Sequence, residues 1–137
     1  MIYYNFETNF ELKNQEKTSN WIEKSILNEE HKLEEISYIF CDDKYLLEKN
    51  IQFLEHDTLT DIISFDYSVG KIISGDIFIS IERVEENAIK FKVDFLNELH
   101  RVMIHGILHY CGYKDKTQEE KKIMRDKENY YLSLRKI

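Results

Sequence analysis

Two histidines four residues apart, His105 and His109, stand in an otherwise apolar stretch of the chain. On a helix, that separation leaves them about 40° apart in azimuth and about 6 Å apart in rise, so both imidazoles can reach one metal ion. Gly112 follows as a natural stop, because glycine readily takes the left-handed conformation that ends many helices. A chain that turns there can bring Asp115 back as a third ligand. Two imidazoles and one carboxylate leave a coordination position open, which a catalytic metal needs and a structural one does not. A metallopeptidase of the H-E-x-x-H kind is disfavoured, because Gly106 stands where that motif places its general base. Two readings compete with a hydrolytic metal. An i, i+4 histidine pair is often two unrelated residues. Two histidines and a carboxylate also form the facial triad of non-haem iron enzymes, although there the histidines usually sit on strands.

The elements that must position these residues follow from periodicity. Strands are predicted over 2–6, 35–41, 61–65 and 72–80, from their β-branched and aromatic content. Gly75 inside the last strand suggests a bulge or a close approach of backbone. Thr18, Ser19 and Asn20 offer caps to a helix over 21–30, and Asp42 or Asp43 caps a second one carrying Leu46, Leu47, Asn50, Ile51 and Leu54. A polar stretch over 55–60 leads into the third strand. Three helices are predicted after the fourth strand, over 81–91, 95–111 and 118–134. The last opens on the capping box Thr117-x-x-Glu120. The apolar positions Leu99, Val102, Met103, Ile104, Ile107 and Leu108 leave the histidine helix largely buried. The order βαβαββααα predicts an α/β (α+β) fold: a small mixed four-stranded sheet packed with about five helices, the metal site on a buried helix.

The 137 residues suit one domain over 1–137 with its own core. No segment approaches the roughly 20 apolar residues of a membrane span, so no membrane partner is expected. The first fourteen residues carry Glu7 and Glu11 and lack a basic-then-apolar run, so no secretory signal is expected. Cys41 and Cys111 are too few for a disulfide framework, and reduced thiols in a cytoplasm are the simplest reading. The net charge of -7 is unevenly spread. Residues 1–70 hold 6 Lys/Arg and 15 Asp/Glu, whereas residues 71–137 hold 13 and 11. The second half can therefore present a basic surface.

The residues His105-Gly106-x-Leu108-His109-x-x-Gly112-Tyr113 resemble the central motif of the YbeY family of bacterial endoribonucleases, H-G-x-L-H-L-x-G-Y-D-H. The resemblance continues upstream. Residues 50–65, with Asp57, Thr60, Asp61, Ser64 and Phe65, are similar to the family's stretch ending in T-D-V-L-S-F. Gly75-Asp76-Ile77 with Ile79-Ser80 resembles its G-D-I-x-I-S strand, and Glu98 and Arg101 match the helix leading into the histidines.

The resemblance implies a metal-dependent single-strand endoribonuclease acting in 16S rRNA 3′-end maturation and ribosome quality control. Its partners would be rRNA and ribosomal particles, and its cofactor one divalent metal ion, with zinc the first expectation. His105, His109 and Asp115 would hold that ion. The metal would lower the pKa of its bound water toward about 7, giving a hydroxide able to attack a phosphodiester. Asp61, Asp76 and Glu98 are candidates for orienting the histidines, with Asp76 equally able to serve as a structural acceptor. Lys121, Lys122 and Arg125 are candidate RNA contacts on the basic C-terminal stretch. Two departures stand out. Lys114-Asp115 replaces the family's Asp-His, so a carboxylate takes the third histidine's place in an ungapped alignment. A one-residue shift would instead set Asp115 at the aspartate's place. Leu54 aligns with the family's usual arginine, a natural phosphate anchor that leucine cannot replace. A ribosome-associated assembly protein with a structural metal is the competing reading.

Overall fold

The computed structural model describes residues 1–54 and 59–137; Asp57 and the rest of residues 55–58 lie outside the described residues. Nine elements follow one another: β1 (Ile2–Phe6), α1 (Gln15–Asn28), β2 (Lys32–Cys41), α2 (Asp43–Leu54), β3 (Ile62–Asp66), β4 (Ile72–Ser80), α3 (Ile81–Phe91), α4 (Phe95–Tyr110) and α5 (Gln118–Ser133). The order is the predicted one. The sheet runs β1-β2-β4-β3, with β1 and β4 parallel to β2, and β3 antiparallel to β4. It is thus an α+β fold on a mixed four-stranded sheet.

Strand alternation divides the side chains between two layers. Ile36, Tyr38 and Phe40 of β2 and Ile73, Ile77 and Ile79 of β4 are fully buried in the main core, with Trp21, Ile22 and Ile26 of α1 and Leu99, Met103 and Ile107 of α4. The other face carries Phe65 and Phe78, which pack with Tyr45, Leu46 and Ile63 beneath α2. The Tyr38 hydroxyl donates to the Met103 carbonyl at 3.0 Å, tying β2 to the middle of α4.

Two glycines let α4 approach the sheet. A Cβ at Gly75 would meet the Phe65 carbonyl oxygen at 2.5 Å and the Tyr110 hydroxyl at 2.6 Å. That hydroxyl fills the space and donates to the Phe65 and Asp76 carbonyls, both at 3.0 Å. Gly75 therefore marks a close approach and not a bulge; the register shift of this sheet lies at Leu33/Glu35. A Cβ on Gly106 would sit 3.0 Å from Ile77 Cδ1 and 3.2 Å from Ile62 Cδ1, so the residue after His105 is where the helix rests on the sheet.

The boundaries lie within three residues of expectation except at one helix start. α1 starts at Gln15, after Asn14 at φ 58°, six residues before the predicted start. The expected caps are interior to the helix and spend their hydroxyls elsewhere. Thr18 Oγ1 donates to the Asn14 carbonyl, and the Ser19 hydroxyl pairs with that of Tyr4 at 2.8 Å. Asp42 caps α2 by accepting from the Tyr45 amide, and Thr117 and Glu120 form the predicted capping box of α5. Cys41 and Cys111 are free, and burial pushes both thiols up to about 12. Among the described residues no helix is long and apolar enough to cross a membrane.

Candidate metal centre

His105 and His109 lie one turn apart near the end of α4. The helix stops at Cys111, and Gly112 follows at φ 103°, a region that favours glycine. The turn is pinned on both sides. The Tyr113 amide donates back to the Leu108 carbonyl at 3.0 Å, and the Tyr113 hydroxyl donates to Glu29 Oε1 at 2.6 Å. Asp115 then returns over the helix. Its Oδ2 lies 3.2 Å from His105 Nε2 and 3.3 Å from His109 Nε2, and the two Nε2 atoms are 3.0 Å apart. His105, His109 and Asp115 thus bring one potential ligand atom each to a common point, all within 4.8 Å of one another. It is Asp115 that turns in, as the ungapped alignment has it, while Lys116 is exposed.

The far side of each imidazole decides what the near side can do. His109 Nδ1 lies 2.9 Å from the Tyr113 carbonyl, which can only accept, so Nδ1 carries the proton and Nε2 keeps its lone pair. His105 Nδ1 lies 2.7 Å from Oε2 of the buried Glu128. Burial alone would raise the Glu128 carboxyl; hydrogen bonds from His105 and Arg101 outweigh it and hold the carboxyl below its usual range. An ionised Glu128 accepts from Nδ1–H, leaving the His105 Nε2 lone pair facing its neighbours. Arg101 Nη1 donates to Glu128 Oε1 at 2.9 Å, and its Nη2 to Asn129 at 2.8 Å, which locks the carboxylate in place. Two lone pairs and a carboxylate at 3.0–3.3 Å repel one another unless a proton or a metal ion sits among them. Burial would lower the His105 imidazole, but Glu128, then Asp115 and Asp61, raise it above its ordinary value, so these acidic neighbours favour a positive charge at this point.

The other expected residues fall into two sets. Asp61 and Glu98 line a cavity of about 310 Å³ that also reaches His105 and Asp115. Burial raises the Asp61 carboxyl, with the His105 charge opposing. Arg125 borders this cavity, and Lys121 joins it around a smaller one of about 220 Å³ that touches His105, Asp115 and Glu128. Asp76 is not with them. Gly75 and Ile77 face α4, so strand alternation turns the Asp76 side chain to the other face, where it accepts from the Tyr67 hydroxyl at 3.3 Å. Lys122 borders neither cavity and pairs with Asp126 at 3.0 Å. Glu128 and the Tyr113 carbonyl are the contributors that motif reading missed. Glu128 left one trace, a charged residue on the buried stripe Met124, Glu128, Tyr131 of α5. His100 is a core residue and no ligand: burial, then Arg135, push its imidazole down to about 4.

Fold and site together define a class: a small α+β protein that offers a divalent metal two oriented imidazoles and a carboxylate at the mouth of a helix-lined cavity. The family described as Endoribonuclease YbeY matches residues 3–135 of the chain. Proteins named endoribonuclease YbeY are 59% identical over 134 residues in Flavobacterium psychrophilum and 55% identical over 134 residues in Flavobacterium johnsoniae, each match covering 98% of this chain and 96% of the relative. The solution structure of TM1509 from Thermotoga maritima superposes with a TM-score of 0.69 at 28% identity, covering 97% of this chain and 87% of that one. The chain belongs to the YbeY endoribonuclease family.

Proposed function

We propose that the protein is a metal-dependent endoribonuclease of single-stranded RNA, acting in the cytoplasm on 16S rRNA 3′-end maturation and ribosome quality control. The observation that carries the metal is the triangle of His105 Nε2, His109 Nε2 and Asp115 Oδ2, with both Nδ1 atoms already engaged. Two nitrogen donors and one oxygen donor on an open face fit zinc, which takes three protein ligands in catalytic sites. When bound, such an ion supplies Lewis acidity and lowers the pKa of a coordinated water toward about 7. The chain's own residues do the rest. Glu128 and the Tyr113 carbonyl hold the imidazoles in the ligating tautomer. Asp115 is held at the same point by the turn through Gly112.

Phosphate binding falls to cations other than the family's upstream arginine, whose place Leu54 takes at the end of α2. Arg101 is committed to Glu128 and Asn129, which leaves Arg125 and Lys121 at the rim to meet the backbone of an RNA strand. The test is an rRNA 3′-end processing assay on purified protein, run beside metal analysis. The wild type should carry about one divalent equivalent per chain and cleave the precursor; His109→Ala should lose both. Binding of the precursor without cleavage would favour an assembly protein with a structural metal. Iron after aerobic purification would favour the non-haem iron reading.

A further inference from the structure

The cavity beside the histidines has a second end. α4 forms its floor through Glu98, Arg101, Val102 and His105, and α3 walls it with Asn87 and Phe91. Seven helical residues separate Glu98 from His105, a rise of about 10 Å, so the Glu98 end lies away from the metal ligands. Glu98 is 6% exposed, yet among the described residues its carboxyl has no hydrogen bond and no close ion pair. Glu128 shows the contrast: equally buried, it is met by His105 and Arg101. Burial, then the charge of Asp61, raises the Glu98 carboxyl above its ordinary range. Among the described residues no buried side-chain oxygen or nitrogen lacks a partner, so the Glu98 oxygens open onto the cavity, where a ligand's donors can reach them. Phe91 stands at the same end, 52% exposed, with the Lys90 ammonium 5.7 Å from its ring centroid.

These two side chains specify the ligand's chemistry. Phe91 offers a half-exposed ring with the Lys90 ammonium over one face, and unpaired bases stack on aromatic rings of this kind. The Glu98 carboxylate accepts through two oxygens and donates nothing. Among the four RNA bases, only guanine sets two N–H donors, N1 and the exocyclic amine, side by side on its Watson–Crick edge. Adenine and cytosine place an acceptor nitrogen beside their single amine, and uracil flanks its one imino N–H with two carbonyls. We propose that Glu98 and Phe91 form a guanine-reading subsite beside the metal centre, so that a guanine near the scissile phosphate is selected. The subsite rests on the reading of the protein as an enzyme of single-stranded RNA.

The test reads binding, so that failure of the subsite and failure of the nuclease reading stay separate. The probes are four fluorescent eight-nucleotide oligoribonucleotides, all uridine except one central guanine, adenine, cytosine or uridine, with 2′-O-methyl groups blocking hydrolysis. Wild-type protein should bind the guanine probe at least about tenfold more tightly than the other three. Glu98→Gln should erase that preference and bring the four within about twofold. Phe91 is exposed, so Phe91→Leu keeps the fold while weakening the guanine probe at least about fivefold, and it decides the matter if Glu98→Gln does not fold. Equal binding of all four probes by the wild type, a guanine preference that survives Glu98→Gln, or undiminished binding of the guanine probe by Phe91→Leu would overturn the subsite. Guanine-selective binding by a protein that cleaves no RNA would leave the subsite standing and sink the nuclease reading.

Discussion

A histidine has two ring nitrogens, and its value as a ligand depends on which one keeps the proton. Here the answer is fixed from behind, by a carboxylate for His105 and by a carbonyl for His109. Removing such a partner typically costs ten- to a hundredfold in metal affinity. Glu128→Gln should therefore weaken metal binding by about that factor, measured by competition with a chromogenic chelator, while leaving the three ligands in place. Unchanged affinity would show that Glu128 only fills space. Asp115 brings a different expectation. As a charged, hard ligand it makes the metal a weaker Lewis acid than a third imidazole would. Asp115→His should retain metal and lower the pH midpoint of RNA cleavage, whereas Asp115→Ala should lose at least about tenfold in affinity. Wild-type affinity in Asp115→Ala would remove this residue from the ligand set.

At the scale of elements, the site depends on how closely α4 lies on β3 and β4. The two glycines under that contact should respond differently to an added methyl. At Gly75 the obstacles are the Phe65 backbone carbonyl and the Tyr110 hydroxyl, which would also lose its two acceptors. Gly75→Ala should cost about 2 kcal/mol or more in urea denaturation, the upper part of the usual range for overpacking. At Gly106 the obstacles are the ends of two isoleucine side chains, which can shift, and alanine gains about 1 kcal/mol of helix propensity. Gly106→Ala should thus fall within about 1 kcal/mol of wild type. The same elements show what could be read from the chain alone. Dense runs of isoleucine and aromatics marked the strands, and the i, i+4 histidines, Gly112 and Asp115 marked the site, because each of those signals is local. Asp76 keeps two roles open in the sequence because motif proximity says nothing about which face of a strand a side chain takes; its position away from α4, accepting from Tyr67, is the structural acceptor's role, and Gly75 beside it held that clue. Glu128 left only a faint trace because its partner is 23 residues away in sequence, on another helix. The start of α1 was misjudged because Thr18 and Ser19 look like caps until their tertiary partners are known.

At the scale of the whole molecule, the charge split between the halves is a poorer guide than its disposition in space. Much of the positive charge in the second half is spent internally: Arg101 on Glu128, Lys127 on Glu29, Arg135 on His100, Lys122 on Asp126. Lys121 and Arg125 remain beside the metal centre, on the first two turns of α5, and form a narrower basic footprint than the sequence suggested. Arg125 is held only loosely, 3.6 Å from Glu128. Binding to single-stranded nucleic acid releases counterions, so the logarithm of affinity falls with the logarithm of salt by about 0.7 for each phosphate neutralised. Lys121→Ala and Arg125→Ala should each weaken binding of a single-stranded rRNA fragment and flatten that slope by about 0.7. Lys122→Ala should change neither, because its ammonium borders no part of the cavity. Fluorescence anisotropy across a potassium chloride series measures all three slopes. Equal flattening by the three substitutions would mean that RNA meets the whole outer face of α5, and that the rim of the metal centre is no special landing place for phosphate.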